Sequence, residues 1–284
     1  MLIFSLVSCS ADELSQAFQI DRLRVLGVAA EPAEPQPGDL VTFSGLIVSP
    51  DPMGGSAWFS CSSTESTDFG CDLDPDLLAA AQTGEASLED LQAAGFLGFL
   101  PALPPTWTVP TDYLDALDEE AKLEGSFAMV FVSALPELVE GETPSADEIE
   151  LAYKRIPVSL APTPNHNPIV ATFTIDGVAV PVGAEWRVDG GQTYEIGVEL
   201  SDDSVESYTY RNTDGEEETR TEEPYFSWYL QEGSFDQPSV LWPYTTVLWT
   251  APRSPTIAEQ SLWVVVRDRR GGMGWAELHA YFAN

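Results

Sequence analysis

The sequence is short of the residues that bind polyanions or carry out catalysis. Its 284 residues include 12 lysines and arginines against 46 aspartates and glutamates, with two histidines and three cysteines. Only Lys122 and Lys154 are lysines. The formal charge of −34 repels nucleic acids and anionic lipid headgroups, so we expect no polyanion as a partner. After residue 10, no stretch has the roughly 18 consecutive apolar residues of a membrane-spanning helix.

Common catalytic signatures are also missing. Nucleophilic hydrolysis places a serine or cysteine beside a histidine, and the two histidines lie in a linker (His166) and on the last predicted strand (His279). There is no G-x-S-x-G, H-E-x-x-H or P-loop motif. We therefore predict a protein that is not an enzyme. A glycoside hydrolase or other carboxylate enzyme stays an alternative, because it needs only two acids facing each other across a cleft.

Apolar residues are present in the amounts and patterns of two folded domains. Hydrophobic residues make up 44% of the chain, and apolar and polar positions alternate after Gly38 and again after Gly191. Each half then supplies a tryptophan-bearing run and a more apolar strand. We predict an all-β fold with two tandem immunoglobulin-like β-sandwiches. The predicted boundaries are a signal and tether at 1–20, a first sandwich at 21–161, a linker at 162–168 and a second sandwich at 169–284.

The first sandwich is predicted to carry a helical insertion at about 73–124. Helix starts are expected at Asp74, at Ser87 with its capping-box spacing, and at Thr111. Between the last two helices, residues 96–105 are too apolar for a solvated loop. This run either folds over the sandwich and closes its edge or forms an exposed contact patch for another protein.

The three cysteines indicate export. Leu6-Val7-Ser8-Cys9 resembles the lipobox of bacterial lipoproteins, in which the signal peptide is removed and the cysteine is acylated. Only eight residues precede Cys9, so we expect the true translation start to lie upstream. The alternative is a buried N-terminal strand with a free thiol. Cys61 and Cys71 enclose a polar loop, and in an oxidising compartment they are expected to form a disulfide.

Calcium is the candidate cofactor. Asp72, Asp74 and Asp76 place three carboxylates two residues apart, and calcium prefers such hard oxygen ligands. They lack the glycine and the distant glutamate of an EF-hand loop, and Asp74 is also expected to cap a helix, so turn chemistry is the favoured explanation. Similar but weaker candidates are Asp202, Asp203, Glu206 and Asp268.

Three tryptophans of the second half have two interpretations. Trp228, Trp242 and Trp249 lie in aromatic runs. On an exposed flat face they would bind glycans, whereas on the third strand of a sandwich they would pack between the sheets. The exposure of the three rings distinguishes these interpretations.

The second half also resembles a known family. The run Asp268-Arg269-Arg270-Gly271-Gly272 follows an apolar strand, and Trp249-Thr250-Ala251-Pro252 precedes it. Both are similar to motifs of bacterial PKD-like and cadherin-like immunoglobulin-fold repeats, and the resemblance covers residues 168–284. It implies a spacer, an adhesive element or an assembly part of a surface lipoprotein.

We therefore expect a non-catalytic lipoprotein, anchored through Cys9 to the outer membrane and located at the cell surface or on its periplasmic face. Its expected partners are other envelope or extracellular proteins. The alternative function is a carbohydrate-binding surface protein, for which glycans are the partners.

Overall fold

A computed structural model of the chain describes residues 17–61, 86–137, 145, 148–211 and 215–282. The fold is all-β, with two immunoglobulin-like sandwiches in tandem, each around its own buried core. In the described part of the chain, no helix is long and apolar enough to cross a membrane.

The described residues of the first sandwich form seven strands and two short helices. They are β1 (Arg24–Glu31), β2 (Leu40–Val48), β3 (Met53–Cys61), α1 (Leu88–Ala93), β4 (Phe96–Leu100), β5 (Thr106–Thr108), α2 (Ala121–Glu124), β6 (Ser126–Pro136) and β7 (Glu150–Val158). One sheet has the order β1-β2-β5 and the other β4-β3-β6-β7, with antiparallel neighbours throughout.

Trp58 lies at the centre of the first core, where it is fully buried. Its ring stacks on Phe43 with 6.1 Å between centroids, and its Nε1 donates to Ser56 Oγ at 2.9 Å. Gly45 leaves room for this tryptophan, because a Cβ at that position would lie 3.1 Å from the ring.

The stretch predicted as a helical insertion is only partly helical. The capping box is confirmed at α1, where the side chains of Ser87 and Asp90 each accept from the other's backbone amide. Residues 96–105 are not a loop, since β4 forms within them and pairs with β3. The first half of the run therefore extends the sheet at its edge, and the strand itself is the edge strand. The helix predicted from Asp74 lies outside the described residues.

The helix predicted after Thr111 is wrong. The chain turns through this stretch with hydrogen bonds to the third residue back, such as Leu117 N to Leu114 O at 3.0 Å. Aspartates compete for the backbone amides, and Asp118 Oδ1 accepts from Ala121 N at 2.8 Å where α2 begins. Turns therefore replace the predicted helix. Leu114 is still buried in the first core.

The second sandwich is built from twelve strands in the described residues. They are β8 (Val170–Ile175), β9 (Val178–Pro181), β10 (Glu185–Val188), β11 (Thr193–Leu200), β12 (Ser207–Arg211), β13 (Glu217–Thr221), β14 (Tyr225–Leu230), β15 (Ser234–Phe235), β16 (Ser239–Leu241), β17 (Val247–Thr250), β18 (Glu259–Arg267) and β19 (Met273–Phe282). The sheets have the orders β10-β19-β18-β14-β16 and β15-β17-β11-β8-β9, and β12 and β13 form a separate hairpin. Only the β10–β19 pair is parallel among these named strands.

Candidate functional site

The two sandwiches meet at a junction that has an apolar half and a polar half. The apolar half, here called the apolar cluster, is centred on buried residues from both sandwiches: Leu26, Val48, Tyr229, Trp263 and Val265. The last three lie on the outer face of β14 and β18, because the alternate residues of these strands fill the second core. Gly27 permits the close approach, since a Cβ there would lie 3.2 Å from both the Met273 sulfur and the Trp275 ring.

The chain before β1 also lies on the second sandwich. Ile20 N donates to Leu230 O at 2.7 Å, and Leu230 N donates to Phe18 O at 3.1 Å. The Phe18 ring packs on Tyr229 with 5.4 Å between centroids. Residues 18–20, predicted as part of a polar tether, therefore hold the two sandwiches together.

The polar half, here called the polar block, consists of Glu34, Lys154, Asn165, Asn167, Asp268 and Arg270. Its centre is the turn between β18 and β19. Asp268 Oδ1 accepts from the amides of Arg270 at 2.7 Å and of Gly271 and Gly272 at 2.9 Å. Glycine is required at 272 because a Cβ would lie 2.0 Å from the Asp268 carboxylate. The Asp-x-x-Gly-Gly motif thus makes a turn that is closed by its own aspartate.

Lys154 of the first sandwich reaches this turn. Its ammonium donates to the Gly271 carbonyl, and only 7% of the residue is exposed. Burial lowers the pKa of Lys154 to about 8, although the Asp268 carboxylate acts in the opposite direction. Burial also raises the pKa of Asp268, against the hydrogen bond from Asn165. A buried cation and a buried carboxylate therefore lie close together across the junction.

The linker contributes two asparagines that bind both sandwiches. Asn165 Nδ2 donates to Asp268 Oδ2 at 2.7 Å, while the backbone N–H of Asn165 donates to Glu34 Oε2 at 2.7 Å. Asn167 Nδ2 donates to the Ala30 carbonyl at 2.7 Å, and its Oδ1 accepts from Met273 N at 2.9 Å. Each of these hydrogen bonds joins residues more than 100 positions apart in the sequence.

Arg270 contacts three carboxylates around the junction. Its guanidinium lies 3.5 Å from Glu34 of the first sandwich, 3.3 Å from Glu206 and 3.0 Å from Glu222. It also stacks over the Tyr208 ring at 4.3 Å. Glu222 is 3% exposed, and burial raises its pKa in spite of the hydrogen bond from Arg270. One arginine therefore ties the hairpin, the turn and the first sandwich together.

Two open clefts of about 490 Å³ each lie on either side of Arg270. His166 lines one of them, is exposed, and has its Nδ1 2.7 Å from Glu206 Oε1. Ser207 lines the same cleft, but its hydroxyl pairs with Thr221 Oγ1 at 3.0 Å and not with the histidine. His279 lies on the last strand, as predicted, opposite Ser261 and Glu185, and its Nδ1 is 3.5 Å from Glu259, so its cross-strand neighbours are polar.

The tryptophans predicted as glycan ligands lie in the second core. Trp228 and Trp249 are fully buried, and Trp242 packs against the same cluster. A buried ring cannot stack on a sugar, so Trp228 and Trp249 do not contribute to an exposed binding face, whereas Trp242 is only half-buried.

Other predicted site residues cannot be compared with the structure. Cys9, Cys71, Asp72, Asp74 and Asp76 lie outside the described residues. Acylation, the disulfide of Cys61 with Cys71, and calcium binding at the three aspartates stay predictions.

The weaker calcium candidates can be located. Among residues that the structure describes, no group of three or more His, Cys, Asp and Glu is arranged to hold a metal ion. The oxygens of Asp268 already accept four hydrogen bonds. This favours the turn interpretation for Asp268.

Only indirect signs of the polar block are visible in the sequence. Lys154 stands out as one of two lysines, and Asn165 and Asn167 flank His166 in the linker. Their partners lie near residue 270, and nothing local in the sequence indicates that pairing.

Comparison with known proteins leaves the chain without an assigned family. No family model matches it, and no curated protein matches it. Among solved structures, it is similar to a chimeric titin Z1Z2 functionalized with a KLER exogenous peptide from decorin, at 11% identity over 93% of this chain and 98% of that chain, with a TM-score of 0.22. It is similar to murine CEACAM1b at 8% identity over 90% and 100% of the two chains, with a TM-score of 0.23.

A third similar structure comes from a study of host cell surface retention of a 1.5-MDa bacterial ice-binding adhesin. The identity is 8% over 93% of this chain and 65% of that chain, with a TM-score of 0.25. Likenesses at these identities and TM-scores carry no inference about what this chain does.

Proposed function

We infer that the chain is a non-catalytic cell-envelope protein that presents two immunoglobulin-like sandwiches as one rigid unit for contact with other proteins, in adhesion or assembly. The polar block is the observation that supports this function most. Domains of one chain usually move relative to each other unless their interface is large and hydrophobic, and here the apolar cluster lies beside the polar block. Bending here would separate the Lys154 ammonium from the Gly271 carbonyl and leave a buried donor unpaired, which typically costs about 1–3 kcal/mol.

The negative charge of the chain explains why cationic side chains lie at the junction. At −34, the two sandwiches repel each other, and Lys154 and Arg270 offset the carboxylates at the point of contact. The cations at the junction are thus side chains of the protein itself. We propose that the junction is rigid without bound calcium, and calcium at Asp72, Asp74 and Asp76 is a separate proposal.

The cellular location rests on the cysteines. We propose an outer-membrane lipoprotein acylated at Cys9, with a disulfide between Cys61 and Cys71. Intact mass of native protein extracted from its own membranes tests this, with and without reduction and alkylation. The expected mass is that of a chain starting at Cys9 with acyl groups, and reduction should reveal two thiols. A chain that keeps Met1 and three free thiols would contradict it.

Small-angle X-ray scattering tests the rigid presentation. The wild-type chain should fit a single arrangement of the two sandwiches, and the double variant Lys154→Met, Asn167→Ala should show a broader range of intersandwich distances. Lys122→Met changes the only other lysine and should leave the profile unchanged. A wild-type profile that already requires many arrangements would contradict the proposal.

A further inference from the structure

The outer face of the sheet β4-β3-β6-β7 is aromatic. Phe96, Phe59, Phe131 and Tyr153 lie opposite one another in register across the four strands. The ring centroids are 5.5 Å apart for Phe59 and Phe96 and 6.2 Å apart for Phe131 and Tyr153. By strand alternation the same face also carries Phe99, Phe127, Met129 and Leu151. We call this surface the aromatic face.

The aromatic face is open to solvent at several positions. Leu151 is 71% exposed and Phe127 is 51% exposed. In the second sandwich, by contrast, the apolar outer face of β14 and β18 is covered by the first sandwich. Large exposed apolar patches on soluble proteins usually mark an interaction site.

Carboxylates are absent from this face among the described residues. The four strands contain one acidic residue, Glu150, which lies on the opposite face and pairs with Arg24 at 3.9 Å. The charged residue on the aromatic face is Arg155, whose guanidinium stacks over the Phe127 ring at 4.2 Å. The chain has 46 acidic residues, so a face without carboxylates differs from the rest of the surface.

We propose that the aromatic face binds the aromatic face of a second copy of this chain. A basic partner would gain more from the carboxylates that cover the remaining surface. An acid-free face favours a partner that is itself strongly acidic, because contact there buries no carboxylate against another. A second copy meets this condition and also supplies a matching apolar surface, as a two-fold symmetric interface requires.

The area of the face suits a weak dimer. The strands β4, β3, β6 and β7 have 5, 9, 11 and 9 residues. At a rise of about 3.4 Å per residue and a strand spacing of about 4.8 Å, the face covers about 550 Å² per copy. This area is below the roughly 800 Å² per partner of a stable interface and corresponds to a weak one. The inference rests on the proposed role in protein contact and names the contact that the first sandwich makes.

Salt should strengthen this dimer. Each copy carries −34, and the repulsion extends about 10 Å in 0.1 M salt but about 3 Å in 1 M salt. Burial of aromatic side chains does not depend on ion pairs, so screening removes the opposing force and leaves the attraction. A dimer held by salt bridges would respond in the opposite direction.

Sedimentation velocity of the full chain at 0.1 M and 1 M NaCl tests the proposal. Wild-type protein should shift from monomer towards dimer with salt, and Phe131→Glu should raise the dimer dissociation constant at least about 100-fold. Leu151→Glu is a second variant at a highly exposed position, where folding should be unaffected. Tyr244→Glu changes an exposed aromatic residue of the second sandwich and should leave dimerization intact.

Two results would overturn the proposal. One is a wild-type chain that stays monomeric at 1 M NaCl and several hundred micromolar protein. The other is a dimer that neither Phe131→Glu nor Leu151→Glu weakens. Scattering from the monomer tests the junction separately, so loss of the dimer with a rigid monomer would refute this inference and leave the rigid unit intact.

Discussion

The apolar cluster and the polar block join the same two sandwiches in different ways. The apolar cluster buries side chains such as Leu26 and Val265, and this contact is favourable over a range of nearby orientations. The polar block joins donors and acceptors at fixed distances, such as Asn167 Oδ1 to Met273 N at 2.9 Å. Hydrogen bonds weaken steeply when they are misaligned. The apolar cluster therefore holds the two sandwiches together, and the polar block sets the angle between them.

The largest effect is expected from Asp268→Ala. The change removes the acceptor of three turn amides and of Asn165, and it leaves Lys154 buried without its neighbouring carboxylate. Because four donors lose a charged acceptor, the free energy of unfolding should fall by about 3–5 kcal/mol, measured by denaturant titration. Asp189→Ala, at an exposed turn, should change it by less than about 0.5 kcal/mol. A loss below about 1 kcal/mol for Asp268→Ala would contradict the role of the polar block.

The apolar cluster is broken by Leu26→Ala. Leu26 is 3% exposed, and truncating such a side chain costs about 2–4 kcal/mol. The scattering profile should keep a single arrangement, because the polar block is still present. Leu40→Ala, at an exposed position of the same sandwich, is the control for stability. A broadened profile for Leu26→Ala would show that the cluster also sets the angle.

Asn167→Ala weakens the polar block and leaves the apolar cluster intact. It removes the bridge from the Ala30 carbonyl to the Met273 amide and should cost about 1–3 kcal/mol. Although it destabilises less than Leu26→Ala, it should broaden the intersandwich distances more. An unchanged profile would mean that the remaining contacts fix the orientation.

The smallest effect is a pH dependence carried by Lys154. Its pKa is about 8 in the folded chain and 10.5 without burial. In that interval the unfolded chain binds more protons at this position, so its contribution to stability rises with pH, by on the order of 1 kcal/mol. Lys154→Met should abolish this rise in unfolding titrations between pH 8 and 10. Lys122→Met should preserve it, and equal slopes in wild type and Lys154→Met would refute the assignment.

Strands with strong local patterns could be predicted from the sequence. The apolar runs of β6 and β18 indicated central strands, and the spacing of Ser87 and Asp90 indicated α1. The strand β13 was harder to predict, because its residues are polar and the acidic run that contains it is equally typical of the solvated tip of a hairpin. The strands of this hairpin are held by pairing with each other, which the period of two does not reveal when neither face is apolar.

The candidate site was harder to predict than the fold. The burial of Lys154 depends on Gly271, 117 positions away, and on how the two sandwiches approach each other. The aromatic face was hidden for a related reason: alternation places apolar residues on both sides of β6, and only the pairing of strands shows which side is the core. Residues 96–105 did indicate an unusual apolar edge, and β4 lies there beside the aromatic face.

Residual dipolar couplings of backbone amides from both sandwiches test the rigid unit most directly, measured on the monomer in weakly aligning medium. The account predicts that couplings from residues 24–158 and 170–282 fit one common alignment tensor with the intersandwich orientation described above. Two tensors of clearly different magnitude would show that the sandwiches move independently, and this result would contradict the proposed function.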